Sequence, residues 1–413
     1  MSQREFVVEL FDDRRAREWS PFAETRPVGE LRFGALRLRE RIETWAAAPC
    51  LAHRAGSHLV DWEEAGAPPG VDGALALPSG TRGRLLWLSR AVPRAPFDAL
   101  GDLGGEPVTF EDAHGVVGWW LPEGTKAPDD DALQSPETFT PGRAVPVQVL
   151  WLNWPWQMVE HNAEQLALDV AELAASSPGF VAPEGVWVEG RHGVVLEPGA
   201  EIGPGVVLDT REGPIHLAAG VRVDGPGRLS GPLSLGAGTR VFGGSLARVS
   251  AGPQCKLRGE IADAVLTGFC NKAHEGYLGH ALLGCWVNLG AGTTNSDLKN
   301  NYGEVRVQLR DALQDTGLAK VGVFLGDHVK TSIGTLLTTG AVVGAGSNVF
   351  GSAGLSARWL PPFTWGDGSS RVHHDWSAFV ATARRAMGRR DQELRPGMET
   401  VLQRLWSHHA GAP

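Results

Sequence analysis

From about Pro183 the chain sets glycines and aliphatic residues on a rough six-residue beat. The segments EPGAEIGPGVVL, AAGVRVDGPGRLSGPLSLGAGTRVFGG and VFLGDHVKTSIGTLLTTGAVVGAGSNVFGS carry it. Gly334, Gly340 and Gly346 keep it strictly, as do Leu229, Leu235 and Val241. One aliphatic per hexad points inward and a small residue turns the corner, which predicts a parallel β-helix of stacked coils over 183–365. Before about Val159 there is no repeat. Short apolar runs (FVVELF, LLWLSR, VPVQVLWL) read as buried strands and LRLRERIETWAA as a helix, predicting an α/β domain over 1–160. VEHNAEQLALDVAELAAS has helical spacing and ends in Ser-Ser-Pro-Gly, so a linker helix is expected within 161–182. Over 366–413, DWSAFVATARRAMGRRDQELRPGMETVLQRLW predicts a helical tail broken near Pro396, packing across the coil or a neighbouring subunit.

Length and charge narrow the picture. A chain of 413 residues has room for two or three domains, and a net charge of −9 gives no electrostatic reason to expect nucleic acid or an anionic membrane as partner. No apolar stretch reaches transmembrane length, and MSQREFVVELFDDRR is too charged for a signal peptide, so a cytoplasmic protein is expected. Cys50, Cys255, Cys270 and Cys285 form no CxxC pair and read as reduced thiols. Cys255, Cys270 and Cys285 recur at equal spacing, as residues filling equivalent slots of a repeat would, and no metal site is expected from them. Asp12, Asp13, Arg14 and Arg15 read as solvated charge clusters, and Trp151, Trp154 and Trp156 as packing at the domain junction.

The beat breaks once, in NKAHEGYLGHALLGCWVNLGAGTTNSDLKNNYG, Asn271 to Gly303. A solenoid filled with aliphatic side chains keeps its chemistry outside, so polar residues gathered there mark a candidate site. His274 is the candidate general base, because imidazole exchanges a proton near neutrality. Asn288, Asn295, Asn301 and Tyr302 offer neutral hydrogen bonds suited to sugar hydroxyls, and Lys272, Lys299 and Arg306 offer charge for a phosphate. His280 and His328 read as solvated or capping residues; Asn295 and Asp297 suit a turn as well as a site.

The same stretch resembles the acetyltransferase site of the bifunctional glucosamine-1-phosphate acetyltransferase / N-acetylglucosamine-1-phosphate uridyltransferase family. In that family a KAGH-type stretch leads into YLG, a VNIGAGT-type turn and an Asn-Tyr pair. Over nearly the whole chain, from LFDDRRAREWSPFAETRPVGELRFGALRLRE to ATARRAMGRRDQEL, the sequence resembles a divergent sugar nucleotidyltransferase-like subgroup. The resemblance implies a left-handed β-helix behind a nucleotidyltransferase-like α/β domain, assembled as a homotrimer with no nucleic-acid or membrane partner. It implies acetyl-CoA as co-substrate, lying near Thr331, Ser332 and Thr338, and an amino sugar phosphate or nucleotide-linked amino sugar as acceptor. His274 would be the base, with Lys272, Tyr277, Asn288, Asn301 and Tyr302 on the substrate.

Two departures stand out. Where the family has a glycine-rich phosphate cradle this chain has FDDRRAREWSPF, which leaves Arg17 and Arg26 as the remnants of nucleotide binding and the activity of the first domain degenerate. Mg2+ is expected only if that domain is active, with Asp72 as its candidate ligand. The family's phosphate-binding lysine would fall near Ala262 and Asp263, so the acceptor is expected to differ from glucosamine 1-phosphate. Two other readings fit the same residues: a non-catalytic sugar-nucleotide-binding or scaffold trimer, and a γ-type carbonic anhydrase recruiting His274, His280 and His328 to zinc.

Overall fold

A computed structural model of the chain describes residues 5–101, 103–177, 179–310, 312–351, 354–369 and 372–410. The apolar runs of the N-terminal part become the strands of one twisted sheet. Its strands are β1 (Val7–Phe11), β2 (Cys50–Arg54), β3 (Gly83–Leu88), β4 (Val108–Asp112), β5 (Gly115–Pro122) and β6 (Arg143–Pro146), in the order β2-β1-β3-β5-β4-β6. β1 runs parallel to both β2 and β3, and it is buried at every position, as a strand covered on both faces must be. Trp87, Trp119 and Trp120 fill much of this core. Helix α1 (Arg14–Arg17) follows β1, and α2 (Leu38–Ala46) lies between β1 and β2. Helices α3 (Pro155–Glu160) and α4 (Asn162–Ala175) lead out of the domain, the latter over the expected linker.

From Trp187 to Leu360 the chain winds into a left-handed parallel β-helix with three faces. The first face comprises six strands from Trp187–Gly190 to Tyr277–Gly279, and the second nine from Val194–Leu196 to Trp359–Leu360. The third runs from Glu201–Ile202 to Asn271–Lys272 and continues through a bridge at Asn288 to Lys330–Thr331 and Asn348–Val349. The hexad logic holds at the level of single side chains. Leu208, Leu229, Leu246, Ile261 and Leu278 stack in register as an inward row and are all buried. Gly334, Gly340 and Gly346 each have φ near +70°, the left-handed corner that glycine takes without strain.

Coil length varies, and this corrects the cysteine expectation. Lys256 opposes Asn271, 15 residues on, whereas Asn271 opposes Asn288, 17 residues on. Cys255 and Cys270 therefore share one interior column, but the next member is Val287; Cys285 lies over Gly268 on the second face. All four thiols are free.

One coil is greatly enlarged. Leu282 pairs directly with Phe324, so the intervening 42-residue passage leaves the prism and returns. It includes an antiparallel hairpin, Arg306–Leu309 with Ala312–Asp315, whose Val307 and Leu309 are buried against the N-terminal domain. The second face is apolar outside as well as inside. Its outward residues Val265, Leu282, Phe324 and Val342 join Trp19, Phe22, Val28 and Trp156 in a single core at the domain seam. Trp154 stacks on Trp156 at 5.0 Å, so these two tryptophans pack at the junction. The tail forms α5 (Trp376–Gly388) and α6 (Pro396–Ala410), broken at Pro396, and packs within the chain on Leu59 and Trp62 of the first domain and Phe363 of the coil. No helix among the described residues is long and apolar enough to cross a membrane.

Candidate active site

His274 stands at the corner between the third face (Asn271–Lys272) and the first (Tyr277–Gly279), exposed to solvent. The corner is tight. Gly276 has φ +128°, and a Cβ there would come within 2.2 Å of the Thr293 carbonyl oxygen of the next coil. Lys272 occupies the inward slot that Val241 and Leu257 fill in the coils below. Its ammonium reaches the corner carbonyls, donating to Arg258 O at 3.1 Å and to His274 O. Burial lowers its pKa to about 8. Lys272 thus braces the loop from inside and does not present its charge on the surface. The His274 ring makes no hydrogen bond or ion pair among the described residues, which leaves both nitrogens open to a ligand.

The VNLGAGT turn lies one coil above. Gly292 N donates to Glu275 O at 3.1 Å, and Gly334 N of the coil beyond donates to Ala291 O at 2.8 Å. The motif that is continuous in sequence is therefore a column in space: His274, then the Gly290–Thr293 turn, then Ser332–Gly334. Thr331 is buried inside this column, its hydroxyl bonded to Gly290 N at 3.0 Å and to the Thr293 hydroxyl at 2.7 Å. Ser332 and Thr338 are half-buried nearer the surface. Ile333, between them, is 81 % exposed beside the corner.

The expected sugar contacts divide. Asn288 lies on the third face with its Oδ1 accepting from Asn271 Nδ2 at 2.6 Å. Asn301 and Tyr302 sit on a separate exposed turn, where Gly303 N donates to Asn301 Oδ1 at 3.1 Å, and no recorded contact joins them to His274. Tyr277 turns away from the base: its phenol donates to Asp297 Oδ2 at 2.7 Å. Burial together with that carboxylate raises the phenol's pKa.

Asp297 belongs to a network that sequence reasoning passed over. Its Oδ2 also meets His280 Nδ1 at 2.7 Å, His280 Nε2 lies 3.7 Å from Asp263, and Arg248 grips Asp263 at 2.6 and 2.8 Å. Burial would raise the Asp297 carboxyl, but the His280 and Tyr277 hydrogen bonds hold it below the usual value. Arg248, Asp263 and His280 all have φ near +50° and so occupy the corner between the first and second faces. Asp263, His280 and Asp297 recur every 17 residues, one coil apart, which is the signal that could have revealed the column. His280 is thus a buttressed member of a charged column and not a solvated residue. Asp263 and His280 border a cleft of ≈ 360 Å³ with Trp156 and Lys320.

His328 is buried too, between Trp286 at 6.2 Å and Phe379 at 5.7 Å, and burial pulls its pKa down to about 3. His274, His280 and His328 thus stand at three different corners. No group of three or more His, Cys, Asp or Glu among the described residues is arranged to hold a metal ion.

In the first domain the place to look is the carboxyl end of β1, where the crossovers leave the sheet in opposite directions. Here that crevice is filled by the chain's own side chains. Asp12 and Asp13 are buried, not solvated as the sequence suggested. Asp12 accepts from Val28 N at 3.0 Å and from the Ser89 hydroxyl; Asp13 caps α1 through Ala16 N at 2.9 Å and pairs with Arg90 at 2.6 Å. Arg17 binds Asp12 O at 2.9 Å and Asp130 at 2.6 Å. Arg26 is fully buried, and its guanidinium is taken up by Asp327 of the β-helix at 3.0 Å and Glu64 at 2.9 Å. Neither arginine is available to a phosphate in this arrangement. Asp72 borders an open cleft of ≈ 390 Å³ with Arg54, Asp129 and Asp130. As no three-ligand set forms there, the donors do not fit a protein-held Mg2+.

Residues 8–177 match the family model described as sugar nucleotidyl transferase. Among curated proteins, a bifunctional sugar-1-phosphate nucleotidylyltransferase/acetyltransferase of Sulfurisphaera tokodaii is 30% identical over 94 residues, covering 23% of each chain. The match thus spans about a quarter of that relative's length. A parallel β-helix follows the matched domain, and the N-terminal part of the chain belongs to the sugar nucleotidyl transferase family.

Proposed function

We propose that the protein is an acetyl-CoA-dependent N-acetyltransferase acting on an amino sugar phosphate or nucleotide-linked amino sugar, and that its first domain no longer transfers nucleotides. The observation that carries the reading is His274: a ring with both nitrogens free, on a braced corner, directly below the Gly290–Thr293 turn. In the reaction the acceptor nitrogen attacks the thioester carbonyl carbon. The C–N bond forms, the C–S bond breaks, coenzyme A leaves as the thiol, and the ammonium proton passes to His274. Backbone N–H groups of the stacked turns would supply the donors for the developing oxyanion. The relative's printed activity includes acetyl transfer, which supports the same chemistry.

The site is open on one side, and Ile333 is exposed beside it, so we assign the missing wall to a neighbouring copy in a homotrimer. Four free cysteines, three of them buried, suit a reducing cytoplasm. The filled crevice after β1 supports loss of nucleotide transfer.

The test is thiol release from acetyl-CoA with a panel of amino sugars, their 1-phosphates and nucleotide-linked forms, beside His274→Ala. Release with one acceptor, reduced roughly 10²–10⁴-fold in the variant, is the expected result. A folded protein that releases thiol with none of them would instead be a sugar-nucleotide-binding scaffold. Pyrophosphate release from sugar 1-phosphate and nucleoside triphosphate would overturn the claim about the first domain.

A further inference from the structure

We infer that the cleft between the third face of the β-helix and helix α5 is a binding site for a phosphate-bearing ligand. The cleft, ≈ 380 Å³, is lined by five cations, Lys256, Lys330, Arg385, Arg389 and Arg390, and by the side-chain amides of Asn271 and Asn288. No aspartate or glutamate borders it. Among the described residues none of the five cations forms an ion pair, in a chain whose formal charge is −9 and whose other solenoid arginines mostly find carboxylates, as Arg248 and Arg258 do.

The geometry comes from the coil. Lys256, Asn271, Asn288 and Lys330 oppose one another in successive coils as one outward row. At about 4.8 Å per coil, the two lysines stand roughly 14 Å apart with two amides between them. The helix closes the other side: Arg385 and Arg389 are one turn apart and exposed, and Arg390 is half-buried. Such a trough offers guanidinium forks and ammonium groups to several phosphate oxygens at once, with neutral amides for a sugar or a linking group.

A purely structural role does not account for these residues. The Lys330 ammonium makes one long bond, to His328 O at 3.3 Å, and Arg390 reaches only the Gln254 carbonyl. Burial draws Lys330 down to about 8, and burial with Arg390 and Arg389 lowers Lys256. Like charges crowded and partly desolvated without a counter-charge are unfavourable unless an anion completes them. The inference does not rest on the acetyltransferase reading, because a scaffold would hold the same anion.

Phosphate groups reach this cleft from three sources: coenzyme A, a nucleotide-linked sugar, or free pyrophosphate. Titration calorimetry at low salt with coenzyme A, a uridine diphosphate sugar and pyrophosphate would compare the full-length protein with Lys330→Gln and with the double variant Arg385→Ala/Arg389→Ala. The two arginines are exposed, so that variant leaves the core intact. We expect at least one probe to bind, with affinity that falls as salt rises and drops about tenfold or more in both variants; the tightest probe names the source. Absence of binding by the unmodified protein at about 1 mM probe, or binding unchanged in both variants, would overturn the inference. Binding is read without turnover, so a protein that transfers no acetyl group tests the cleft equally well.

Discussion

Glu30 shows how far a single residue escapes prediction. It reads as one charged position in a polar loop, yet it is wholly buried and holds Arg39 at 2.5 Å, Arg37 at 2.8 Å and His53 at 2.8 Å. Burial alone would raise its pKa, but the neighbouring His53, Arg37 and Arg39 hold the carboxyl well below its ordinary 4.5. A depressed carboxylate contributes stability that is fully present above the unfolded value and is lost as pH falls through the folded one. Denaturant unfolding from pH 7 down to 3 should therefore show this contribution eroding below about 4.5. Glu30→Gln should cost about 3–5 kcal/mol at pH 7, because two buried guanidinium groups lose their counter-charge. Its acid limb should be flatter; an unchanged limb would mean that other groups set the acid sensitivity. His274 was legible for the opposite reason, since its neighbours in sequence are also its neighbours in space. His280 was not, because Asp263 and Asp297 reach it from other coils.

At the scale of the element, the hexad beat gave away the solenoid because one face of each coil must be aliphatic. Leu283 points inward and is fully buried, so Leu283→Ala should cost about 2–5 kcal/mol in urea unfolding. A smaller loss would show that the coil collapses around the gap. What the beat conceals is the corner. Phe269, Trp286 and His328 all have positive φ, and their rings stack along one edge, Phe269 on Trp286 at 4.2 Å. Non-glycine residues in that conformation carry a local cost which ring packing offsets, and single-residue propensity gives no hint of it. Coil length is equally hidden. Equal cysteine spacing suggested equal slots, and a two-residue change between adjacent coils moved Cys285 to another face.

For the whole molecule, domain order was readable from composition, but the seam was not. The outward residues of the second face are as apolar as its interior, a double-sided pattern that in sequence looks only like a dense hydrophobic run. At the centre of the seam Asp327 takes Thr25 at 2.8 Å, Arg26 at 3.0 Å and, through its second oxygen, the Cys285 amide at 2.7 Å. Arg26→Ala should destabilise the protein by about 3–5 kcal/mol, and calorimetry should show one transition lowered as a unit. Two separate transitions, with only one affected, would show that the domains unfold independently.

That single carboxylate also bears on how such a chain can change over generations. A fragment encoding either half would leave Asp327 or Arg26 charged and stranded on an oily surface. The ancestral habit of shuffling catalytic and repeat modules is closed to this lineage, whose two halves must be inherited, and must drift, together.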